Sequence, residues 1–535
     1  MSESPHRRFV DGRFMLRGQP YLIVGGELHN SGSSTPFAIT EAFEAAARIG
    51  VDTVLTPVAW ESVEPEEGAF DFSLVDALLD AARTRGLHVI PLWFGTWKNG
   101  MSTYVPTWVK TNPVRFPRIE IAPGISIDAI SPFSRAARDA DARAFAAFMR
   151  HLSEHDDGET VLMVQVENEV GVLGDSRDRS VLAEKAWASP VPDNVQDAVT
   201  RAGSGRLNEA LRRSAEAPES GKDWASSFGE GADEAFMAAA YASYLDAVAR
   251  AGRVEFDVPL YANAWVDANA ESDGGEAGFG LAGGVRPGEY PSGGPLRHTA
   301  SIWRALAPSL DLLAPDLYFG NFDVIASEYR SIDGILFIPE MQCNRTGVEQ
   351  MFLAVGELGA AGVAPFAFDL MSADEPYYPD VSDAFRLLSA LRKVLQQHPD
   401  AELHGFTLTD ETPTRRLFEG ETLEISASHL SEIFPSEKNA VGCIARVGED
   451  LYYVIGRGFA VRALGPGGAR VGWLSVEELE LQDGEWQVRR RLNGDEEGGG
   501  EWIRLPAIQQ TQSELFPIRQ NTRLSGVLRV SPYRY

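Results

Sequence analysis

Residues 53–93 read TVLTPVAWESVEPEEGAFDFSLVDALLDAARTRGLHVIPLW and contain one complete strand–helix–strand unit. Thr53–Val58 and Leu87–Trp93 are short and nearly all apolar, which is typical of strands buried on both faces of a parallel sheet. Between them, LVDALLDAARTRG has apolar residues at helical spacing and ends at Gly86, where a left-handed C-terminal cap fits. The stretch therefore predicts a βα unit of an α/β fold.

The same alternation extends in both directions from this unit, from Arg13 to about residue 390. Eight parallel strands with intervening helices predict a closed (β/α)8 barrel, the TIM barrel. Two connections, after the fourth and fifth strands, are long enough to predict functional loops over the barrel mouth. The six further apolar runs are Tyr21–Gly26, Val161–Val166, Leu260–Trp265, Leu312–Leu317, Ile335–Pro339 and Gly362–Phe368.

The pattern changes after about residue 395. Short alternating runs such as LEISAS, LYYVIG and EWIRLP are separated by Gly, Asp and Asn turns, which is typical of an all-β unit. We therefore expect a catalytic barrel over residues 1–395 and a smaller C-terminal β-sandwich over residues 396–535.

Composition narrows the classes of partner. The formal net charge of −29 over 535 residues disfavours nucleic acid, because no Lys/Arg-rich stripe offsets the repulsion of phosphates. No apolar tract is long enough to predict a membrane span, and MSESPHRRFVDGRF lacks the apolar core of a signal peptide, which predicts a cytoplasmic location.

Cys343 and Cys443 form no CxxC or Cys/His cluster, so we expect neither a disulfide framework nor a structural zinc. The sequence is compatible with a homo-oligomer without defining one.

Three carboxylates follow apolar strands at the predicted mouth of the barrel. VLMVQVENEVG places Glu167 and Glu169 after the fourth strand, on one side of it by strand alternation, and ILFIPEMQ places Glu340 after the seventh. Hydrolysis of a glycosidic bond with retention needs a protonated acid and an ionised nucleophile about 5–5.5 Å apart. Glutamates from these two strands predict that chemistry. The alternative is that either carboxylate only pairs with an arginine or caps a helix.

The string QVENEVG at Gln165–Gly171 resembles the acid/base signature of glycoside hydrolase family 35, the β-galactosidases of clan A. The resemblance implies that Glu169 is the proton donor, and Glu340 is then the predicted nucleophile. It further implies that Asn168 hydrogen-bonds the sugar 2-hydroxyl and that Glu167 has no donor role. VGGELHNS at residues 24–31 is similar to the first-strand motif of the family, and TPVAWESVEPEEGAFDFS at residues 56–73 is similar to the second-strand segment of families 35 and 42.

Two departures from the family pattern point to a divergent branch. Family 35 usually has Ala-Glu-Trp after the third strand, with the Glu on sugar hydroxyls, whereas GTWKNG here has Thr96 at that place. The Tyr that usually follows the donor motif is Val170. We expect Glu27 to take over the hydroxyl recognition lost at Thr96, on the interpretation that both side chains share one face of the barrel. The hypothesis therefore favours galactose as the terminal sugar of the substrate without requiring it.

A sugar site needs aromatic platforms beside side chains that hydrogen-bond hydroxyls. The resemblance to clan A implies that Tyr318, in DLYFGN, hydrogen-bonds the nucleophile. For the aromatic residues, packing in the core is an equally good interpretation. The predicted substrate-binding residues at strand ends are Glu27, His29, Asn30, Trp60, Trp93, Trp97, Asn168, Asn263, Trp265, Tyr318 and Phe368.

Together these observations predict a retaining, exo-acting β-glycosidase that releases a terminal sugar, β-galactose first among the candidates, from an oligosaccharide. The mechanism proceeds through a covalent glycosyl-enzyme and needs no cofactor or metal. Two alternatives stay open. One is a β-glycosidase for another sugar, such as an arabinopyranoside, and the other is a carbohydrate-binding protein without catalysis.

Overall fold

Eight parallel strands close into a barrel, which confirms the predicted (β/α)8 fold. The computed structural model describes residues 7–156, 159–202, 207, 209–216, 222–267, 283–418, 422–427, 440–465, 469–482, 484–492, 500–508 and 524–535. Each barrel strand pairs with its neighbours in chain order, and the eighth pairs with the first. We label them β1 (Ile23–Glu27), β2 (Thr53–Ala59), β3 (His88–Lys98), β4 (Val164–Asn168), β5 (Leu260–Trp265), β6 (Leu312–Leu317), β7 (Phe337–Met341) and β8 (Gly362–Pro365).

Apolar side chains fill the inside of the barrel and leave polar chemistry to its mouth. Ile23, Leu55 and Phe337 belong to one buried cluster that also includes Phe14 from outside the barrel. Phe14 lies in an antiparallel sheet of Arg7–Val10, Arg13–Leu16 and Gln19–Pro20, which covers the amino-terminal end of the strands. The predicted pattern does not include this sheet. The sheet therefore leaves the carboxyl ends of the strands, where the acidic residues lie, as the place for a ligand site.

Helices surround the barrel, and the predicted glycine cap at Gly86 is present, with a second one at Gly50. Gly50 and Gly86 end their helices in the left-handed region, with φ of 94° and 66°. In the described part of the chain, no helix is both long and apolar enough to cross a membrane. The α-helices are Pro36–Ile49, Trp60–Val63, Ser73–Arg85, Thr107–Lys110, Arg135–His155, Val181–Trp187, Asp193–Arg201, Glu209–Glu216, Trp224–Phe228, Ala232–Glu255, Ala300–Leu306, Phe322–Asp333, Arg345–Gly356 and Tyr378–Gln397. Short 3-10 helices span Gly229–Gly231 and Phe368–Leu370, and a hairpin joins Arg118–Ala122 to Ile125–Ile130.

The connection after the fourth strand, which the sequence predicts over the mouth, contains the long helix Ala232–Glu255, and this helix belongs instead to the outer layer of the barrel. It packs along Arg135–His155 so closely that a Cβ on Gly252 would lie 2.3 Å from the Phe145 ring. The reason is its composition, since apolar residues cover much of its circumference and have to be buried. The helix therefore supports β3 and β4 from outside.

In the described residues that follow the barrel, ten strands form two antiparallel sheets. Their facing side chains, including Phe406, Ile425 and Val461, share one core, as in the predicted sandwich. Helix Tyr378–Gln397 crosses the predicted boundary at residue 395, and the first sandwich strand begins at Glu402. The six-stranded sheet has the order Glu402–Leu408, Ala440–Gly448, Leu451–Arg457, Val527–Arg534, Val471–Gln482 and Glu485–Leu492. The four-stranded sheet has the order Thr414–Leu417, Leu423–Ser426, Phe459–Ala463 and Ile503–Leu505.

The close contact at Gly252 predicts that Gly252→Ala destabilises the protein. The added methyl group would overlap the Phe145 ring, and overpacking of this kind costs about 1–3 kcal/mol, more than the roughly 0.8–1 kcal/mol that Ala gains over Gly in a helix. We expect a lower thermal unfolding midpoint by calorimetry. Gly448→Ala is the control, because its Cβ would meet only Leu451 Cβ, at 3.6 Å. Equal midpoints for the two variants would contradict the packing described.

Candidate active site

Glu169 and Glu340 lie side by side at the mouth of the barrel, with Asp316 as a third acid. They come from β4, β7 and β6, with Glu169 directly after the last residue of its strand. One carboxylate oxygen of each lies within 4.8 Å of one oxygen of each of the others. The side chains are almost enclosed, Glu169 being 6% and Glu340 4% exposed. Three acids packed so closely out of water cannot all be ionised, so protons must be retained among them.

Glu340 is surrounded by hydrogen-bond donors. The Tyr318 hydroxyl donates to its Oε2 at 2.9 Å, which is the contact that the clan A resemblance implies. The side-chain amides of Asn168 and Asn263 each donate to its Oε1 at 3.3 Å. Donors of this kind stabilise the charged form of a carboxylate and fix its direction. The environment suits a carboxylate that stays ionised.

Glu169 is in an environment that favours the protonated form. Burial, and next the negative charge of Glu340, raise the pKa of Glu169 to about 7, while the positive charge of Lys98 opposes the shift. Burial is also the first cause that raises the pKa of Asp316 well above its usual range. Asp316 therefore favours its protonated form, with one carboxyl oxygen within 4.8 Å of an oxygen of Glu169. The two glutamates have opposite surroundings although they are neighbours.

Asn263 connects the parts of this cluster. Its Oδ1 accepts the backbone N–H of Glu169 at 3.0 Å, and its Nδ2 donates to Asp316 Oδ2 at 2.8 Å as well as to Glu340. The backbone of Glu169 has a φ of 46°, in the left-handed region that a residue other than glycine seldom adopts. The hydrogen bond to Asn263 helps to hold that conformation, which aims the carboxyl at Glu340.

Glu167 and Thr96 turn away from the mouth, contrary to the predicted alternation and to the predicted shared face with Glu27. The Glu167 carboxylate accepts the backbone N–H groups of Thr96 and Trp97 at 3.1 and 2.7 Å. The Thr96 hydroxyl lies 2.7 Å from both Asp141 Oδ2 and the Tyr244 hydroxyl, on the surrounding helices. The physical reasons are a register shift between β3 and β4 and a φ of 61° at Glu167, which interrupt the alternation.

The three polar residues predicted after the first strand lie at different depths. Glu27 is fully buried, and burial, followed by the charge of Glu340, raises its pKa well above the ordinary value. His29 lies at the rim, where its backbone N–H donates to Asp369 Oδ1 at 3.0 Å and its ring Nδ1 contacts Oδ2 of the same residue. Asn30 is exposed, beside Ser33. The structure thus brings Glu27 to the acids but not Asn30.

Two of the predicted aromatic platforms, Trp60 and Trp97, are packing residues. Both are fully buried. The indole N–H of Trp60 donates to Glu64 Oε2 at 2.8 Å, and the N–H of Trp97 donates to the Ile130 carbonyl at 3.0 Å. Trp93 is likewise buried on the outer side, where its N–H donates to Asp141 at 2.9 Å. These rings join the barrel to its helices, and a sugar cannot reach them.

Phe368 also packs away from the mouth. Its ring lies against Gly26, where an added Cβ would come within 2.5 Å of it. Trp265 ends β5 two residues after Asn263, and its N–H donates to the Gly283 carbonyl at 3.2 Å. Phe366, which the sequence does not predict as a site residue, is partly exposed and makes an edge contact with Tyr318, with ring centroids 6.5 Å apart. The aromatic residues near the acids are therefore Trp265, Tyr318 and Phe366.

Lys98 is the principal residue that the sequence interpretation misses. It ends β3 in GTWKNG, is 7% exposed and lies within electrostatic reach of Glu27, Glu169 and Glu340. Its backbone pairs with Met101 across the residues Asn99–Gly100, both with positive φ. Asn-Gly is the usual sequence of such a tight turn. That signal marks the turn in the sequence, whereas the direction of the lysine follows only from the fold.

Two groups of side chains in the described residues have the spacing of metal ligands. One is the acid cluster Glu169, Asp316 and Glu340, where Lys98 and the protons on the acids also balance charge. The other, Asp76 with His151 and His155, lies on outer helices away from the mouth. Within it, His151 Nε2 lies 2.7 Å from Asp76 Oδ1. Cys343 and Cys443 are free thiols. A mechanism without metal stays a prediction.

Comparison with known sequences agrees with this geometry. Residues 13–244 match the family model described as "Glycosyl hydrolases family 35". This confirms the resemblance that QVENEVG carries. Residues 381–504 match a second family, described as a domain of unknown function, DUF5597. The chain is also 30% identical over 181 residues to a β-galactosidase of Xanthomonas manihotis, a match that covers 32% of this chain and 27% of that relative.

Solved structures with a similar chain course include two carbohydrate-active enzymes. One is the catalytic domain of β-amylase from Paenibacillus polymyxa, with 14% identity, a TM-score of 0.47, and coverage of 68% of this chain and 97% of that one. The other is a β-galactosidase from Bacillus circulans sp. alkalophilus, with 13% identity, a TM-score of 0.47, and coverage of 70% and 56%.

The raised pKa of Glu169 gives a prediction that does not depend on activity. Glu340→Gln removes the negative charge that is the second cause of the shift, so the pKa of Glu169 should fall below about 7. The measurement is a pH titration by NMR of protein labelled with ¹³C at the Glu side-chain carboxyl, with Glu169→Gln identifying the signal. Glu411→Gln, a change in an exposed loop, should leave the titration unchanged. An unchanged or higher pKa in Glu340→Gln would contradict the described contact.

Proposed function

We propose that this chain is a retaining, exo-acting β-glycosidase of the β-galactosidase type. The observation that carries the proposal is the pair of buried glutamates from β4 and β7, with oxygens within 4.8 Å of each other. Retaining glycosidases place their two carboxyl groups about 5–5.5 Å apart, whereas inverting enzymes leave roughly 6.5–9.5 Å for a water molecule. The spacing supports direct attack on the anomeric carbon by one of the two.

Their surroundings support the roles of Glu340 as nucleophile and Glu169 as acid/base in this proposal. Glu340 receives hydrogen bonds from Tyr318, Asn168 and Asn263, which keep it charged and oriented. Glu169, with a pKa raised to about 7, holds the proton that the leaving oxygen needs. Asp316 and Asn263 act on Glu169 as positioning residues.

The same contacts let Glu169 change role within one turnover. When Glu340 forms the covalent bond to the sugar, its negative charge disappears, and with it the second cause of the raised pKa at Glu169. Glu169, having given its proton to the departing group, is then a carboxylate of lower pKa that accepts a proton from water. Water attacks the anomeric carbon, releases Glu340, and restores the charge that raises the pKa again.

The enclosure of the acids supports action on a chain end. Both glutamates are more than nine-tenths buried, whereas a groove for the middle of a polysaccharide would expose them along its length. The family 35 match and the named relative favour β-galactosides. A β-glycosidase for another sugar, such as an arabinopyranoside, is the remaining alternative, and aryl glycosides that differ only at C4 and C5 separate the two.

Glu340→Gly tests the nucleophile. We expect loss of hydrolysis of an aryl β-galactoside, because the covalent intermediate can no longer form. Azide fits the space left by the carboxylate and should restore aglycone release with the α-glycosyl azide as product, seen by NMR. Glu411→Gly, in an exposed loop, is the matched control and should retain activity. Retained hydrolysis in Glu340→Gly, or azide without effect, would overturn the assignment. Binding of galactosides without any hydrolysis by the unaltered chain would favour a carbohydrate-binding protein.

A further inference from the structure

Lys98 carries a buried positive charge that no protein group neutralises directly. In the described part of the chain, its ammonium group has no hydrogen bond or ion pair, and its nearest ring is Phe94, with Nζ 5.0 Å from the centroid. The side chain is 7% exposed. At this nearly enclosed mouth, the three N–H donors of the ammonium group are not bonded to described protein groups and can bind a ligand. Such a group is expected to find its partners in a ligand.

The backbone holds Lys98 firmly beside the catalytic strand. Its Cα is paired with that of Asn168 across β3 and β4. The N–H of Gly100, in the turn after Lys98, donates to the carbonyl of Glu169 at 3.1 Å. A Cβ on Gly100 would lie 3.0 Å from the Gly171 carbonyl, so only glycine fits this approach comfortably. The lysine is therefore fixed relative to Glu169.

Acceptors without partners face the same space. Both carboxylate oxygens of Glu27 are buried without a hydrogen bond, as is Oδ1 of Asn168. Glu27 and Lys98 lie within electrostatic reach of each other and of Glu340. Lys98 provides hydrogen-bond donors, and Glu27 and Asn168 provide acceptors, at the same nearly enclosed mouth. This combination matches a set of sugar hydroxyls, since each hydroxyl both donates and accepts.

The order of strands around the barrel decides which hydroxyls these are. Glu340 on β7 and Glu169 after β4 hold the anomeric carbon between them, so the far side of the ring must extend toward β1 and β3. Glu27 is on β1 and Lys98 is on β3. These two residues therefore meet the ring positions remote from the bond that is cleaved.

We infer that Lys98, opposite Glu27, is a specificity-determining residue that donates hydrogen bonds to the C3 or C4 hydroxyl of the terminal sugar. This inference rests on the proposed function and deepens it. The substrate class is a neutral glycoside with those hydroxyls free. An anionic sugar is disfavoured, because the charges of Glu27, Glu169, Asp316 and Glu340 act on Lys98 at the same place.

The test compares Lys98→Met with the unaltered enzyme on 4-nitrophenyl β-D-galactoside and its 3-deoxy, 4-deoxy and 6-deoxy analogues, at a pH on the plateau of the rate profile. Loss of a hydrogen bond to a charged donor lowers kcat/KM by about 10- to 100-fold. We expect that loss on the parent glycoside and on the 6-deoxy analogue. On the 3-deoxy or the 4-deoxy analogue, the substitution should lower kcat/KM by less than about 3-fold, because that analogue already lacks the hydroxyl to which Lys98 donates. Equal loss on every substrate would assign Lys98 a structural role and overturn the inference.

Lys110→Met is the matched control. Lys110 is partly exposed and pairs with Glu61 at 2.8 Å, so all four substrates should be unaffected. Lys98→Arg should keep part of the discrimination against the deoxy analogues, because it retains a charged donor. Hydrolysis of the β-D-galacturonide as fast as the galactoside would contradict the neutral substrate class.

A binding experiment separates this inference from the proposed function and covers a Lys98→Met variant that does not fold. Calorimetry with the Glu340→Gln variant measures D-galactose and its 3-, 4- and 6-deoxy derivatives. Weaker binding of the 3- or 4-deoxy sugar alone supports the inference even if the enzyme hydrolyses none of the glycosides, which would reject the proposed function only. Equal affinity for all four sugars, or binding of none, overturns it.

Discussion

Several acids and one lysine are buried together at the mouth of the barrel, and the rest of the structure depends on this constraint. Out of water, the acids Glu169, Asp316 and Glu340 cannot all be charged within 4.8 Å of one another. The protein resolves this unevenly, with hydrogen-bond donors directed at Glu340 and protons kept on the other two. Chemistry that needs one acid and one base side by side follows from that uneven division.

The backbone and the outer helices maintain the arrangement. Positive φ at Glu167 and Glu169 turns two successive carboxylates of one sequence motif to opposite sides of β4. The outward one binds the N–H groups of the β3 backbone, which aligns β3 with β4. Buried tryptophans then fasten β3 to helices Arg135–His155 and Ala232–Glu255. Many of the aromatic residues at the strand ends therefore hold the strands against the helices, which fixes the positions of the acids at the mouth.

The sequence predicts the elements better than the directions of their side chains. Apolar runs that alternate with helical segments identify all eight strands. The strand ends indicate that Glu169 and Glu340 lie close together, because the fold brings the carboxyl ends of parallel strands together. Trp60, Trp97 and Phe368 were equally at strand ends, yet they face outward. The register shift between Trp93 and Lys98 reverses the facing of residues that alternation would assign. Nothing local in GTWKNG indicates that shift, so the sequence predicts Thr96 on the face that Glu27 occupies, whereas the structure has Lys98 within electrostatic reach of Glu27.

In the proposed mechanism, Glu340 attacks the anomeric carbon of the sugar directly. The most direct measurement is mass spectrometry of the protein after reaction with 2,4-dinitrophenyl 2-deoxy-2-fluoro-β-D-galactoside, which slows release of the covalent intermediate. We expect one covalently bound fluorosugar per chain, which peptide sequencing locates on Glu340 in FIPEMQ, residues 337–342. A label on another residue, or hydrolysis of an ordinary galactoside with inversion and no covalent adduct, would contradict it.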